Sequence, residues 1–140
     1  MKKLLLPVDG SDASQRGIAY IIANRESVSG AELHLLNVQS PLPSRMTESI
    51  SHGVVHQYHL EQGENELAGA RAELDAAGLK YVSSIEVGPA AEVIARYARE
   101  KKIDQIILGT RGLGAVTGML LGSVTIKIIR ATNTPVLLVK

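Results

Sequence analysis

The chemistry-bearing residues gather in one stretch: Gly109-Thr110-Arg111-Gly112, then nine residues, then Gly122-Ser123. Three glycines and a hydroxyl at this spacing suit a loop wrapped around phosphate. Glycine has no Cβ, so its backbone can approach a ligand closely. Successive N–H groups can then converge on an anion. Ser123 stands where a helix is expected to start, either as its cap or as a phosphate ligand, and helix N-termini carry free N–H donors and a positive dipole end. Arg111 lies inside the stretch and can reach a phosphate, although an arginine on a loop is more often solvated. Thr125 is a weaker candidate for the same contact.

Two other phosphate motifs do not fit. A P-loop needs a lysine after its last glycine, and Ser123 follows Gly122 directly. A dinucleotide fingerprint starting at Gly112 needs glycine at position 117, which is Thr117. On the glycines alone, a ligand-free surface loop is an equally good reading.

Two further groups stand out. Asp9-Gly10-Ser11 follows the apolar run Leu4 to Val8; Asp9 either closes a turn or faces a ligand. His52, His56 and His59 share one helical face. Histidines four apart on a helix can bind zinc, but no aspartate lies beside them and Glu61 is the nearest carboxylate. The expectation is therefore a polar or partner-facing stripe, with no metal site.

Composition narrows the function classes. A chain of 140 residues fits one domain, residues 1–140. The net charge of +1, with both signs interleaved, offers no footprint for nucleic acid or an anionic membrane. No cysteine is present, so disulfides, thiol nucleophiles and thiolate metal sites are excluded. There is no Trp or Phe and only four Tyr, a poor supply for base stacking. The N-terminal apolar stretch is too short for a signal peptide, and no apolar run reaches the roughly 18 residues of a membrane span. A cytosolic setting is expected.

The elements that must position these residues follow from apolar periodicity. Strands are expected at Leu4 to Val8, Ala31 to Val38, Leu79 to Val87, Ile106 to Leu108, and Pro135 to Val139. Pro7 falls at the end of the first, where pairing ceases. Helices are expected from Ser11 or Asp12 to about Asn24, and from Glu48 to Ala77 with Gly53 and Gly63 as weak points. A third opens at Gly88-Pro89, with Val93, Ile94, Tyr97 and Ala98 buried, and a fourth follows Ser123. Gly78 suits the end of the long helix. Strict β-α alternation predicts an α/β fold with a parallel sheet. Such sheets bind ligands beyond the strands' carboxyl ends, where strand order reverses. If the first and fourth strands are neighbours, one crevice holds both Asp9 and Gly109.

The chain resembles the ATP-binding branch of the universal stress proteins. That family's motif is Gly, two residues, Gly, nine residues, Gly, then Ser or Thr, which Gly109 to Ser123 matches without a mismatch. Pro7-Val8-Asp9-Gly10-Ser11, Gly88-Pro89-Ala90 and Thr134-Pro135-Val136 are also similar to the family. The likeness spans essentially the whole chain and is weakest from Pro41 to Ala77.

The resemblance implies an open five-stranded parallel sheet, order 3-2-1-4-5, with helices on both faces, of the adenine nucleotide alpha hydrolase-like type. It implies ATP as ligand, with Mg2+ or Mn2+ held mainly by the phosphates. Asp9 would contact the ribose or adenine side, with Pro7 and Val8 beside it. Backbone at Val38 would read the adenine edge, and Gly109 would pass close to the ribose. Gly112, Gly122, Ser123 and Val124 would hold phosphates through backbone N–H groups and the Ser123 hydroxyl. The last strand would be an exposed apolar edge, which is an aggregation hazard unless covered. A second copy meeting it at Pro135 to Val139 would form a homodimer, and coverage by the chain's own helix is the alternative.

Three functions remain open: a nucleotide-dependent regulatory stress-response module with little or no turnover, a slow ATPase or autophosphorylating enzyme, and a ligand-free dimeric scaffold. The stretch from Gly109 to Ser123 holds one Arg and no Lys, Asp or Glu. Phosphoryl transfer wants a base, a cationic clamp and a fixed metal, so binding without catalysis is expected.

Overall fold

The computed structural model describes residues 2–110 and 122–140. Leu4-Leu5-Leu6 forms the centre of strand β1 (Lys3–Pro7). Pro7 is its last residue, in register with Leu36, and the N–H of Val8 then donates to the Leu36 carbonyl at 2.9 Å. Helix α1 (Asp12–Ala23) follows, capped by the Ser11 hydroxyl, which accepts from the Ser14 N–H at 3.2 Å. The chain continues through β2 (Glu32–Gln39), α2 (Ser44–Thr47), α3 (His52–Ala76), β3 (Val82–Val87), α4 (Ala90–Glu100), β4 (Gln105–Gly109), α5 (Ser123–Ala131) and β5 (Val136–Val139).

The strands pair in the order β3-β2-β1-β4-β5, and every pair is parallel. This is the expected doubly wound sheet. Alternation along each strand divides its side chains between two cores. Leu4, Leu6, Val8, Leu33, Leu35 and Ile107 meet Ile18 and Ile21 of α1 and Leu67, Ala70 and Leu74 of α3. Leu5, Leu36, Ile106 and Leu108 turn the other way, onto Val93, Ile94, Tyr97 and Ala98 of α4 and Ile128 of α5. The stripe expected in α4 is the buried one. None of the described helices is long and apolar enough to cross a membrane.

The region between β2 and β3 departs from expectation. The helix expected from about Glu48 to Ala77 begins only at His52, as α3, and the short α2 precedes it. Ser51 explains the later start, because its side chain caps α3 by accepting from the Val54 N–H. Gly63 is no weak point: it is buried, and a Cβ there would lie 2.7 Å from Ile85 Cδ1. It lets α3 settle against β3.

Strand β3 begins at Val82, later than the expected Leu79. Leu79 is occupied in ending α3. Gly78 takes φ +73°, its N–H bonds the Asp75 carbonyl, and the Leu79 N–H bonds the Leu74 carbonyl. That is the Schellman closure of a helix. Similarly, β5 starts one residue after Pro135, whose carbonyl accepts the Ile106 N–H at 2.8 Å.

Candidate functional site

β1 lies between β2 and β4, so the strand order reverses beside it. A cleft of about 160 Å3 opens at the carboxyl ends there. Pro7, Val8 and Asp9 line it from β1, Leu36 and Val38 from β2, and Leu108 and Gly109 from β4. Thus Asp9 and Gly109 do share one crevice.

The first turns of three helices also border this cleft. Ser11, Ala13 and Ser14 belong to the start of α1, Ala90 is the first residue of α4, and Val124 and Thr125 are in the first turn of α5. First-turn N–H groups lack intrahelical acceptors and carry partial positive charge. Asp9 is the one ionisable side chain among the described lining residues, whose attraction for an anion comes mainly from backbone.

Asp9 and its neighbours form a tight turn. Asp9 Oδ1 accepts from the Ser11 N–H at 2.9 Å, and Gly10 takes φ +83°. Asp9 therefore does close its turn while lining the cleft. Gly10 is needed there because side chains rarely adopt that angle.

Gly109 is a glycine for a reason other than ligand approach. A Cβ at this position would sit 1.6 Å from the Ala13 carbonyl oxygen. Its missing side chain lets the first turn of α1 pack onto the end of β4. The next residue is held on both sides. The Thr110 N–H bonds the Val139 carbonyl at 2.7 Å, and Arg16 Nη1 donates to the Thr110 carbonyl at 2.8 Å. Sequence reasoning missed Arg16, which carries no local signal beyond being a basic residue on a helix.

At α5 the cap is Gly122, with no side-chain capping bond, and Ser123 is the first helical residue. This corrects the expectation of Ser123 as the cap. The shift points its N–H, with those of Val124 and Thr125, out of the first turn. Val124 and Thr125 line the cleft; Gly122 and Ser123 adjoin them in sequence without lining it. Pro89 is likewise the cap residue of α4, one position before the expected first turn. Arg111 and Gly112 lie outside the described residues.

A buried polar group behind the cleft was also missed. Asn37 and Gln39 flank Val38 and point to the α3 side of the sheet. Asn37 Nδ2 donates to the Val8 carbonyl at 2.9 Å and to Glu66 Oε2 at 3.2 Å. Gln39 Nε2 reaches Asn37 Oδ1 at 2.8 Å. An asparagine inside the apolar run Leu35-Leu36-Asn37-Val38 was the available signal, since a buried amide demands partners.

Elsewhere, His34 of β2 is buried, with Nδ1 at 2.7 Å from the Tyr97 hydroxyl. Burial holds its pKa below the ordinary value, outweighing the nearby Glu32 carboxylate. His52, His56 and His59 do share one face of α3, and all three line a separate cavity. Among the described residues, no group of three or more His, Asp or Glu is placed to hold a metal ion. A larger groove of about 790 Å3 lies at the sheet's opposite end, between Arg25–Leu33 and Ala77–Val82.

A parallel sheet in the order 3-2-1-4-5, with helices on both faces and helix N-termini grouped at its switch point, defines a doubly wound α/β protein. Residues 1–140 match the universal stress protein family model, and the chain belongs to that family. It is 34% identical over 140 residues to the universal stress protein in the QAH/OAS sulfhydrylase 3' region of Thermus aquaticus, covering 99% of this chain and 98% of that one. The solved structure of MJ0577, named among its relatives as a universal stress protein of Methanocaldococcus jannaschii, superposes with TM-score 0.77 at 30% identity, covering 99% of this chain and 95% of that chain. A universal stress protein solved in complex with cAMP superposes with TM-score 0.71 at 25% identity, covering 99% and 97%.

Proposed function

We propose that the cleft binds ATP and that the protein is a nucleotide-dependent regulatory module with little or no turnover. The observation that carries this reading is the meeting of three helix N-terminal turns on one cleft, where Asp9 is the one ionisable group among the described lining residues. Backbone donors suit a polyphosphate, and a carboxylate opposite them suits a ribose diol. The cAMP complex of a relative supports an adenine nucleotide as the ligand class.

On this reading Pro7, Val8 and Asp9 face the nucleoside, and the backbone at Val38 reads the adenine edge. Gly109 passes near the ribose. Gly112, Gly122, Ser123, Val124 and Thr125 serve the phosphates, with Arg111 available to them. Mg2+ or Mn2+ rides on the phosphates, because the described lining residues offer one carboxylate and a fixed divalent ion needs several oxygen ligands. Among the described lining residues there is no lysine or histidine to act as a base or clamp, which favours binding over phosphoryl transfer.

The reading also includes one domain over residues 1–140, a cytosolic setting and a homodimer through β5. In support of the dimer, β5 ends the sheet, and apolar Leu138, Ile126 and Ile129 are exposed on β5 and α5. A second copy would cover that edge and its apolar surroundings.

Mass spectrometry of gently purified protein, then calorimetry with ATP and cAMP in Mg2+ or Mn2+, tests ligand binding. ATP should co-purify or bind, and the Gly122→Val, Ser123→Ala double variant should lose it while staying folded. No binding at millimolar ATP overturns the proposal. Turnover that disappears in the double variant would establish the slow-enzyme alternative instead.

A further inference from the structure

The histidine stripe borders a cavity of about 350 Å3 that shares no residue with the cleft. Its volume falls within the range of small-molecule sites. Leu42, Ile50 and Val87 reach it from three different segments, and Val55 from α3 itself. The body of an occupant therefore meets apolar wall.

The polar side is equally defined. Apart from three imidazoles, the described lining residues include no ionisable side chain. His59 is 4% exposed, and its enclosed Nδ1 has no partner. An imidazole carries at least one N–H, so the buried His59 ring can offer a donor to an occupant. His52 and His56 are exposed and bring further N–H donors to the mouth. His52 is also the first residue of α3, so the positive end of a 25-residue helix lies at the same place. Donors and a dipole end favour an anion, with no lining carboxylate to repel it.

We propose that this cavity binds a small amphipathic monocarboxylate, its chain against Leu42, Ile50, Val55 and Val87 and its carboxylate among the imidazoles. A nucleotide suits it poorly, because the described lining residues include no lysine, arginine or glycine. A metal ion is disfavoured because no metal-holding group of three exists among the described residues. The proposal stands whether or not the cleft takes ATP.

Octanoate is the probe and octan-1-ol its neutral control, each titrated into the full chain by calorimetry and by histidine side-chain NMR. One octanoate should bind per chain, about ten-fold or more tighter than octanol, and shift the resonances of His56 and His59. The exposed pair His52→Gln, His56→Gln should weaken octanoate at least about five-fold with unchanged circular dichroism. ATP titration of that variant should match the parent. The proposal is overturned by no octanoate binding at about 10 mM, by equal affinity for octanol, or by an unchanged affinity in the double variant. It is also overturned by several octanoates per chain, or by histidines that respond to Zn2+ and not to octanoate.

Discussion

Glu66 Oε2 of α3 stands 2.6 Å from Gln39 Nε2 at the end of β2. The same oxygen accepts from Asn37, which in turn holds the Val8 carbonyl of β1. One carboxylate thus ties together the two strand ends that line the cleft. Asn37 is fully buried, so its amide has no water to fall back on. Glu66→Ala should cost about 1–3 kcal/mol in urea denaturation. It should also weaken nucleotide binding, since Val8 and Val38 lose their common anchor. A variant as stable as the parent would show that the network contributes nothing.

Gly109→Ala tests a different kind of constraint. The added methyl would collide with the Ala13 carbonyl, which is backbone and cannot swing aside. We expect a loss of at least about 3 kcal/mol, or failure to fold, read by thermal melting. Gly53→Ala is the control, with nothing within 4 Å of its Cβ. It should be neutral or stabilising by up to about 1 kcal/mol. Equal effects at the two positions would refute the packing account of Gly109.

Arg16→Ala should cost about 1–2 kcal/mol, because a charged donor is removed from the Thr110 carbonyl. Calorimetry with ATP should show weaker binding if this anchor sets the end of β4 beside the cleft. An unchanged affinity alongside lowered stability would confine Arg16 to a purely structural role.

His34 predicts a pH dependence. Its pKa is lowered in the folded chain by burial, with Lys3 and Lys101 adding to that effect and Glu32 opposing it. The unfolded chain therefore takes up the proton first as pH falls. The stabilising contribution is complete above the unfolded value of about 6.5 and is lost as pH falls from there through the lowered folded value. Denaturation midpoints at several pH values should decline over that window in the parent. His34→Gln should flatten the decline; an equal slope in both proteins would assign it to other groups.

Leu138→Lys addresses the edge strand. Leu138 is 36% exposed on β5, the last strand of the sheet. A charge there should weaken a β5-mediated dimer at least about ten-fold in sedimentation velocity while leaving the monomer folded. An undisturbed dimer would move the interface elsewhere.

Local patterns in the sequence were enough for the alternating elements, the buried stripe of α4 and the Gly78 helix end. Each depends on residues a few positions apart, where apolar period and backbone preference act directly. The strand order came from family resemblance, as did the expectation of a nucleotide ligand, since pairing between distant strands leaves no local trace. Only the tertiary structure decided why particular residues are required. Gly109 is a glycine because α1, far away in sequence, packs onto it. Arg16 matters through a bond spanning 94 positions, and Asn37 through a carboxylate 29 positions away. The cap of α5 fell on Gly122, and α3 starts at His52 behind the Ser51 cap. The cleft itself belongs to no single segment: three helix starts and three strand ends form it only once the sheet has brought them together.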